Sequence, residues 1–374
     1  MLKLLVFLTL CISSLYAKNL YVDYLVDYSK KNELNTSKQY NSYKKAYEDA
    51  LNDYKNNIKK LWPIVDVSNN SKWVEYSNNY KYKKIIDYKK KIIYVEVIVN
   101  NDKYASTAII ILYENLLKYD TNMAFKNDIL RKKTYSNLNK AQDIPIENIK
   151  LISDVLNEQE QENILKEVSL QEYKTTKYKN NTIYKSQIKL PTDFTIRKAK
   201  SYKNIIQNYA KNSYIDKNIL FSIIQAESSF NPLAQSHIPA FGLMQIVPKT
   251  AGIDAYYKLY GKKKLLSSRY LFKADNNVKI GSTYLNLIFY KYLKNIKNKK
   301  SRLYCTIAAY NTGVSNFAKT FGKQTSRTQA IEHVNKMSSS QVYKKLLKRL
   351  PAKQTRLYLS KVNRYIKQYN KLNL

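Results

Sequence analysis

The stretch Asp216–Pro232, DKNILFSIIQAESSFNP, is the part of the chain from which the fold is read. Asp216 is of the N-cap type, because its short carboxylate can accept from the free amides of a first helical turn. Ile219, Leu220, Ile223 and Ile224 then recur at the three- and four-residue steps of one helix face. Pro232 closes the run, since the residue before a proline avoids the α region. Glu227 therefore falls in the last turn of an apolar helix. The helix dipole opposes a negative charge there, and apolar neighbours oppose it further. Both effects raise a carboxyl pKa toward the range that suits a general acid near neutral pH. Position alone leaves a second reading open, a solvent-exposed Glu at a helix end.

Working outward, the pattern from about residue 200 onward is helix after helix. Ile205, Ile206 and Tyr209 mark one, and Gly242 opens another that ends near Ala251-Gly252. Val278 to Lys291 and Leu303 to Thr312 follow, the last closed by Gly313. Pro351 to Tyr358 leads into a final Tyr/Val helix. Upstream, Tyr43, Ala46, Tyr47, Ala50, Leu51 and Tyr54 keep helical spacing within a segment at 18–60. Residues 61–190 change character. Lys72 to Tyr76, Ile85 to Tyr88 and Lys91 to Val99 read as short strands, with Asn69, Asn70, Asn78 and Asn79 marking turns. Helical spacing resumes from Thr107 to Leu117. Lys174 to Lys189 is polar and Pro191 follows it, so a linker or hinge is expected near 185–200, with the helical domain occupying 195–374.

The chain has 374 residues, of which 44% are hydrophobic, enough for a sizeable core. Its net charge is +37, from 65 Lys+Arg against 28 Asp+Glu. That balance favours anionic partners, although a Lys-, Asn- and Tyr-rich composition of this kind also arises from codon bias alone. The first 17 residues have the layout of a secretory signal: Lys3, an apolar run from Leu4 to Ile12, and a small-residue zone ending at Ala17. The apolar run is shorter than the roughly 20 residues of a membrane span. Only Cys11 and Cys305 are present. Cys11 would leave with the signal, and Cys305 sits among Thr306, Ile307, Ala308 and Ala309 as a buried helical thiol. No metal-ligand spacing occurs, and no metal or cofactor is expected.

Three further features join Glu227-Ser228-Ser229-Phe230-Asn231-Pro232. They are Gly242-Leu243-Met244-Gln245-Ile246, Ala308-Ala309-Tyr310-Asn311-Thr312-Gly313, and Pro351 to Tyr358. Glycine permits close backbone approach to a ligand, and Gln245 offers both donor and acceptor. Taken singly, each of these is equally at home as a helix start or a packing face. Together, with Ser236 nine positions beyond Glu227, the set resembles the soluble lytic transglycosylase domain. The resemblance covers roughly 200–370. Trp62-Pro63, Lys72 to Tyr76, Val95 to Val97, Val342-Tyr343 and Tyr358 to Asn363 are similar to a membrane-bound subgroup of that family.

The resemblance implies an α+β protein. An all-α, lysozyme-like catalytic domain at 195–374 would follow a smaller α/β domain at 61–190 and a helical segment at 18–60, with the signal peptide at 1–17. It implies one catalytic group, Glu227, acting as acid and then base on peptidoglycan glycan strands. Ser236 and Gln245 would hydrogen-bond the sugar or its acetamido group. Tyr310 would position Glu227 or the muramyl sugar, Met244 would line the groove, Asn311 would support it, and Gly242 would allow close approach. Two departures stand out. The late Glu of the family pattern is Gln354 here, and Leu10 precedes Cys11 where a lipid-attachment motif wants a small residue. A periplasmic monomer is expected, held at most peripherally at the outer membrane or an anionic wall. A lysozyme-like hydrolase and a non-catalytic wall-binding scaffold are the competing readings. A nucleic-acid binder suits the charge but shows no known module, and a secretion signal would carry it to the wrong compartment.

Overall fold

The computed structural model describes residues 35, 37–140, 147–236, 240–322, 324–372 and 374. The expected signal peptide at 1–17, with Cys11, and the first part of the 18–60 segment lie outside these residues. A helix α1 over 37–61 opens the described chain. An antiparallel sheet follows, with β1 Lys72–Tyr76, β2 Tyr82–Asp87 and β3 Ile92–Ile98 joined by tight turns. Helices α2 Asp102–Lys118, α3 Thr121–Asn127, α4 Ile129–Asn137 and α5 Glu158–Leu170 come next. Strands β4 Lys174–Tyr178 and β5 Asn181–Lys189 complete a five-stranded sheet of order β1-β2-β3-β5-β4.

This is where the expected linker falls. Residues 174–189 are a hairpin, with β5 inserted between β3 and β4. The apolar signal is weak because Tyr184, Ser186 and Ile188 point to one face while Lys185 and Gln187 hold the other. Pairing on both edges, not side-chain hydrophobicity, makes β5 a strand. One face of the sheet, carrying Ile93, Val95, Val97 and Ile188, packs on Ile109 and Tyr113 of α2 and on Ile164 and Val168 of α5. Tyr54 and Ile58 of α1, with Trp62, cover Val74, Ile85, Ile98 and Ile183 on the other. The charges inside the sheet are paired: Lys83 Nζ lies 3.0 Å from Asp66 and 2.9 Å from Glu96. Lys84 lies 2.6 Å from Glu75, which also accepts from the Tyr119 hydroxyl at 2.8 Å.

The rest of the described chain is helical: α6 Phe194–Ser201, α7 Lys203–Ser213, α8 Lys217–Ser228, α9 Ile253–Tyr260 and α10 Ser268–Phe272. Then come α11 Ala274–Asn286, α12 Lys299–Thr312, α13 Val314–Ala318, α14 Arg327–Asn335, α15 Ser339–Arg349 and α16 Lys353–Leu372. α8 is capped by Asp216, whose side chain accepts from the Asn218 amide. It buries every residue from Leu220 to Ala226, the mark of a central helix rather than an amphipathic one. α7 and α16 flank it, and Tyr369 of α16 stacks on Phe221 at 5.2 Å. Its hydrophobic core is continuous with that of the sheet: Trp73, Ile93 and Tyr113 belong to the same buried cluster as Phe221, Met244 and Tyr369.

Two expectations for this half are corrected. α8 does not wait for Pro232: it stops at Ser228, because Ser229 and Phe230 turn left-handed, with φ of 53° and 62°. Gly242 does not open a helix. It sits in a tight turn between Phe241 and Ile246, and the helical turn begins only at Pro248.

Candidate active site

The site is built at the C-terminal end of α8. A helix leaves its last four carbonyls without intrahelical partners. Here they are met one by one. Ser229 N–H donates to Gln225 O at 3.2 Å, Lys361 Nζ to Ala226 O at 2.6 Å, Asn70 Nδ2 to Glu227 O at 2.8 Å, and Asn231 N–H to Ser228 O at 3.1 Å. The reversal beyond Glu227 costs two non-glycine left-handed residues. It is anchored by Phe230, fully buried and stacked on Tyr202 at 6.2 Å.

Glu227 is half-buried in this corner. Burial pushes its carboxyl up from 4.5 to about 7, against the opposing pull of the Tyr358 hydroxyl and the Lys361 ammonium. Tyr358 and Lys361 stand one helical step apart on α16. The Tyr358 hydroxyl is buried with no regular hydrogen bond to a protein group among the described residues, and it faces the carboxyl at a distance where it still favours the charged form. Lys361 is held below the ordinary lysine range, by burial first, although Glu227 pulls the other way. Burial, and then the Glu227 charge, hold the Tyr310 phenol well above its ordinary range. A carboxyl that titrates near neutrality, flanked by phenols that stay protonated, can give a proton and take one back.

Residues 234–236 and 240–246 form the second wall. Phe241 and Ile246 exchange backbone hydrogen bonds at 3.1 and 3.0 Å around a four-residue turn with φ of 74° at Gly242 and 48° at Gln245. A Cβ at Gly242 would lie 2.3 Å from Asn277 Nδ2 and 2.4 Å from Leu271 O, so only glycine fits. Gln245 Nε2 donates to Ala234 O and Gly242 O, both at 3.0 Å. Ser236 Oγ accepts from the Ala240 amide at 3.3 Å. Tyr310, near the end of α12, donates its hydroxyl to Met244 O at 2.8 Å and so ties this wall to the Glu227 corner.

Gly242, Met244, Gln245 and Tyr310 are thus joined by hydrogen bonds, with Ser236 attached through the same turn system. Met244 departs from its expected place. Its side chain is fully buried and fills the space left by Gly281, where a Cβ would meet Met244 Sδ at 2.3 Å, so it supports the wall from behind instead of facing a groove. Asn311 is half-buried beside Tyr310. Gln354 is exposed in the first turn of α16, one turn before Tyr358, and is not among the groups that move Glu227.

Four residues of the site escaped the sequence reading. Tyr358 and Lys361 lie in a quoted motif but carried no role; their i, i+3 spacing on one helix face was the available signal. Asn277 is fully buried. It clamps the turn from α11 by donating to Phe241 O at 2.8 Å and Leu271 O at 2.7 Å and accepting from Met244 N–H at 2.7 Å. A lone Asn beside Val278 and Ile280 was its only trace. Asn70 read as an ordinary turn residue. Among the described residues no cluster of three His, Cys, Asp or Glu side chains could hold a metal, and none forms a helix long and apolar enough to cross a membrane.

Residues 204–333 match the family model described as Transglycosylase SLT domain. Membrane-bound lytic murein transglycosylase C of Klebsiella pneumoniae (strain 342) is 36% identical over 198 residues, 52% of this chain and 54% of the relative. The protein of that name from Pectobacterium atrosepticum is 28% identical over 337 residues, 87% of this chain and 90% of the relative. At the higher identity, then, the matched region spans about half the length of the curated relatives. Among solved structures, an inactive mutant of lytic transglycosylase Slt from Pseudomonas aeruginosa aligns with a TM-score of 0.40 and 17% identity, covering 74% of this chain and 38% of that one.

Proposed function

We propose, from the premise that this chain carries a transglycosylase SLT domain at 204–333, that it is a peptidoglycan lytic transglycosylase whose acid/base is Glu227. The observation that carries the reading is the place of the Glu227 carboxyl, in the last turn of α8 where Lys361 and Asn70 hold the helix end, a setting whose burial raises it to about 7. Glycoside cleavage with two carboxylates divides the acid and base roles between them. A single group serves both if it is protonated at the start and stable as an anion midway. Protonated Glu227 would donate to the oxygen linking N-acetylmuramic acid to N-acetylglucosamine, and that bond would break. The substrate's own acetamido group would stabilise the cationic sugar. Glu227, now a carboxylate steadied by Tyr358 and Lys361, would take the proton from the muramyl 6-hydroxyl. That oxygen would close on C1, giving a 1,6-anhydro end with no water consumed.

On this reading Gln245, Ser236 and Asn311 are the polar groups offered to the sugar, while Gly242, expected to admit the ligand, instead lets the turn pack against Asn277 and Leu271. Tyr310 holds the two walls in register through Met244 O. We place the protein in the periplasm, where its substrate is. The name "membrane-bound" of the relatives supports that placement. A net charge of +37 supports peripheral retention at an anionic wall or membrane surface. The test is Glu227→Gln on purified sacculi. The swap keeps the shape and removes the proton, so lysis falls by about 10²–10⁴-fold, the usual worth of a general acid. A folded variant that loses less than about 10²-fold removes Glu227 from the role.

A further inference from the structure

We propose that Asn70, in the amino-terminal half, is a positioning residue through which the β-sheet holds the end of α8 and so sets Glu227; this rests on the reading of Glu227 as the acid/base. Asn70 Nδ2 donates to the Glu227 backbone carbonyl at 2.8 Å, across 157 residues of sequence. It is the main-chain oxygen of the proposed catalytic residue itself that is held. The neighbouring carbonyls Gln225 O, Ala226 O and Ser228 O are met from within the helical half, by Ser229, Lys361 and Asn231.

The loop that presents Asn70 is itself fixed. Asn69 Oδ1 accepts from the Ser71 and Lys72 amides, both at 2.9 Å, and Asn69 N–H donates to Lys72 O at 2.8 Å. Tyr88 N–H donates to Ser71 O at 3.0 Å, tying the loop to the end of β2, and the buried Tyr88 ring lies 6.2 Å from Phe194. Asn70 is therefore aimed from a rigid support and is no mobile surface side chain. An independent feature points the same way. Lys89, next along from Tyr88, acts electrostatically on Lys361, the residue that caps Ala226 O and faces Glu227. The turn between β2 and β3 and the loop before β1 thus both bear on the same helix end. The titratable groups around Glu227 are Tyr358 and Lys361 on α16 and Tyr310 on α12, with Lys89 and Arg364 acting on Lys361.

Removing the donor leaves Glu227 O without this partner. Water then takes its place, and the last turn of α8 loses the restraint that aims the carboxyl. The experiment uses the full chain with Asn70→Ala and the isosteric Asn70→Asp, with kinetics on purified glycan strands and the Glu227 carboxyl titrated by carbon-13 NMR. The expected result is a kcat about tenfold lower in both variants with KM nearly unchanged, as for a reacting group displaced but not removed. The Glu227 titration moves down in Asn70→Ala, where water enters, and up in Asn70→Asp, where a negative charge arrives. A purely structural role lowers thermal stability and leaves the titration in place. An unmoved titration with wild-type kcat in whichever variant is folded overturns the proposal. If the wild type itself leaves the strands uncut, the functional reading fails, while the titrations still decide whether Asn70 sets Glu227.

Discussion

Glu227→Gln should make the protein more stable, and only at high pH. The Glu227 carboxyl titrates near 7 in the fold against 4.5 for an ordinary glutamate. A raised folded-state pKa means that the native protein binds more protons than the unfolded chain between those values. The stabilisation from this group is complete below 4.5 and is lost as the pH rises through 7. At about 1.4 kcal/mol per pH unit, ionising Glu227 costs the folded state roughly 3 kcal/mol. Gln mimics the protonated carboxyl and does not titrate, so the variant escapes this cost. Urea unfolding followed by helical circular dichroism, run on both proteins at pH 4 and pH 9, measures the difference. The variant's stability relative to wild type should rise by roughly 3 kcal/mol between the two pH values. A difference that does not change with pH, or one that moves toward the wild type, means Glu227 ionises like a surface carboxylate, and the argument from burial fails.

Gly242→Ala forces a Cβ against Asn277 and Leu271 O at a φ of 74°. It should destabilise the protein by about 2–4 kcal/mol and depress activity, as read by denaturation midpoints and turnover on sacculi. Tyr358→Phe removes a hydroxyl that favours the Glu227 anion. The limb on which activity falls as Glu227 loses its proton should therefore move to higher pH, which a pH–rate profile shows directly. Gln354→Glu should leave that limb within about 0.3 pH unit of wild type, because residue 354 is exposed and a solvated surface charge interacts only weakly. A clear upward move would place residue 354 against Glu227.

The helical half was legible because its signals are local. Asp216 caps α8 through the Asn218 amide, and the apolar steps from Ile219 to Ile224 became the central helix. The strands at Lys72–Tyr76, Tyr82–Asp87 and Ile92–Ile98 were legible for the same reason. What failed was non-local. β5 owes its state to partners on both edges, one of them more than 80 residues away, so its polar sequence read as a linker. Gly242 read as a helix start because the Phe241–Ile246 pairing and the Asn277 clamp depend on tertiary contacts that no spacing rule carries. Met244 read as a groove residue because its burial depends on Gly281, from another helix. Asn70 shows the limit most clearly, since a turn residue and a cap on a helix end 157 positions away look alike until the chain has folded.

The central claim, that Glu227 acts as acid and then base with no water consumed, is tested most directly by mass spectrometry of the muropeptides released from purified sacculi by the wild-type protein. The account predicts that the new muramyl ends are 1,6-anhydro and that they take up no oxygen-18 from labelled water. Reducing ends carrying the label as the main product would contradict it and make the protein a hydrolase of the lysozyme type.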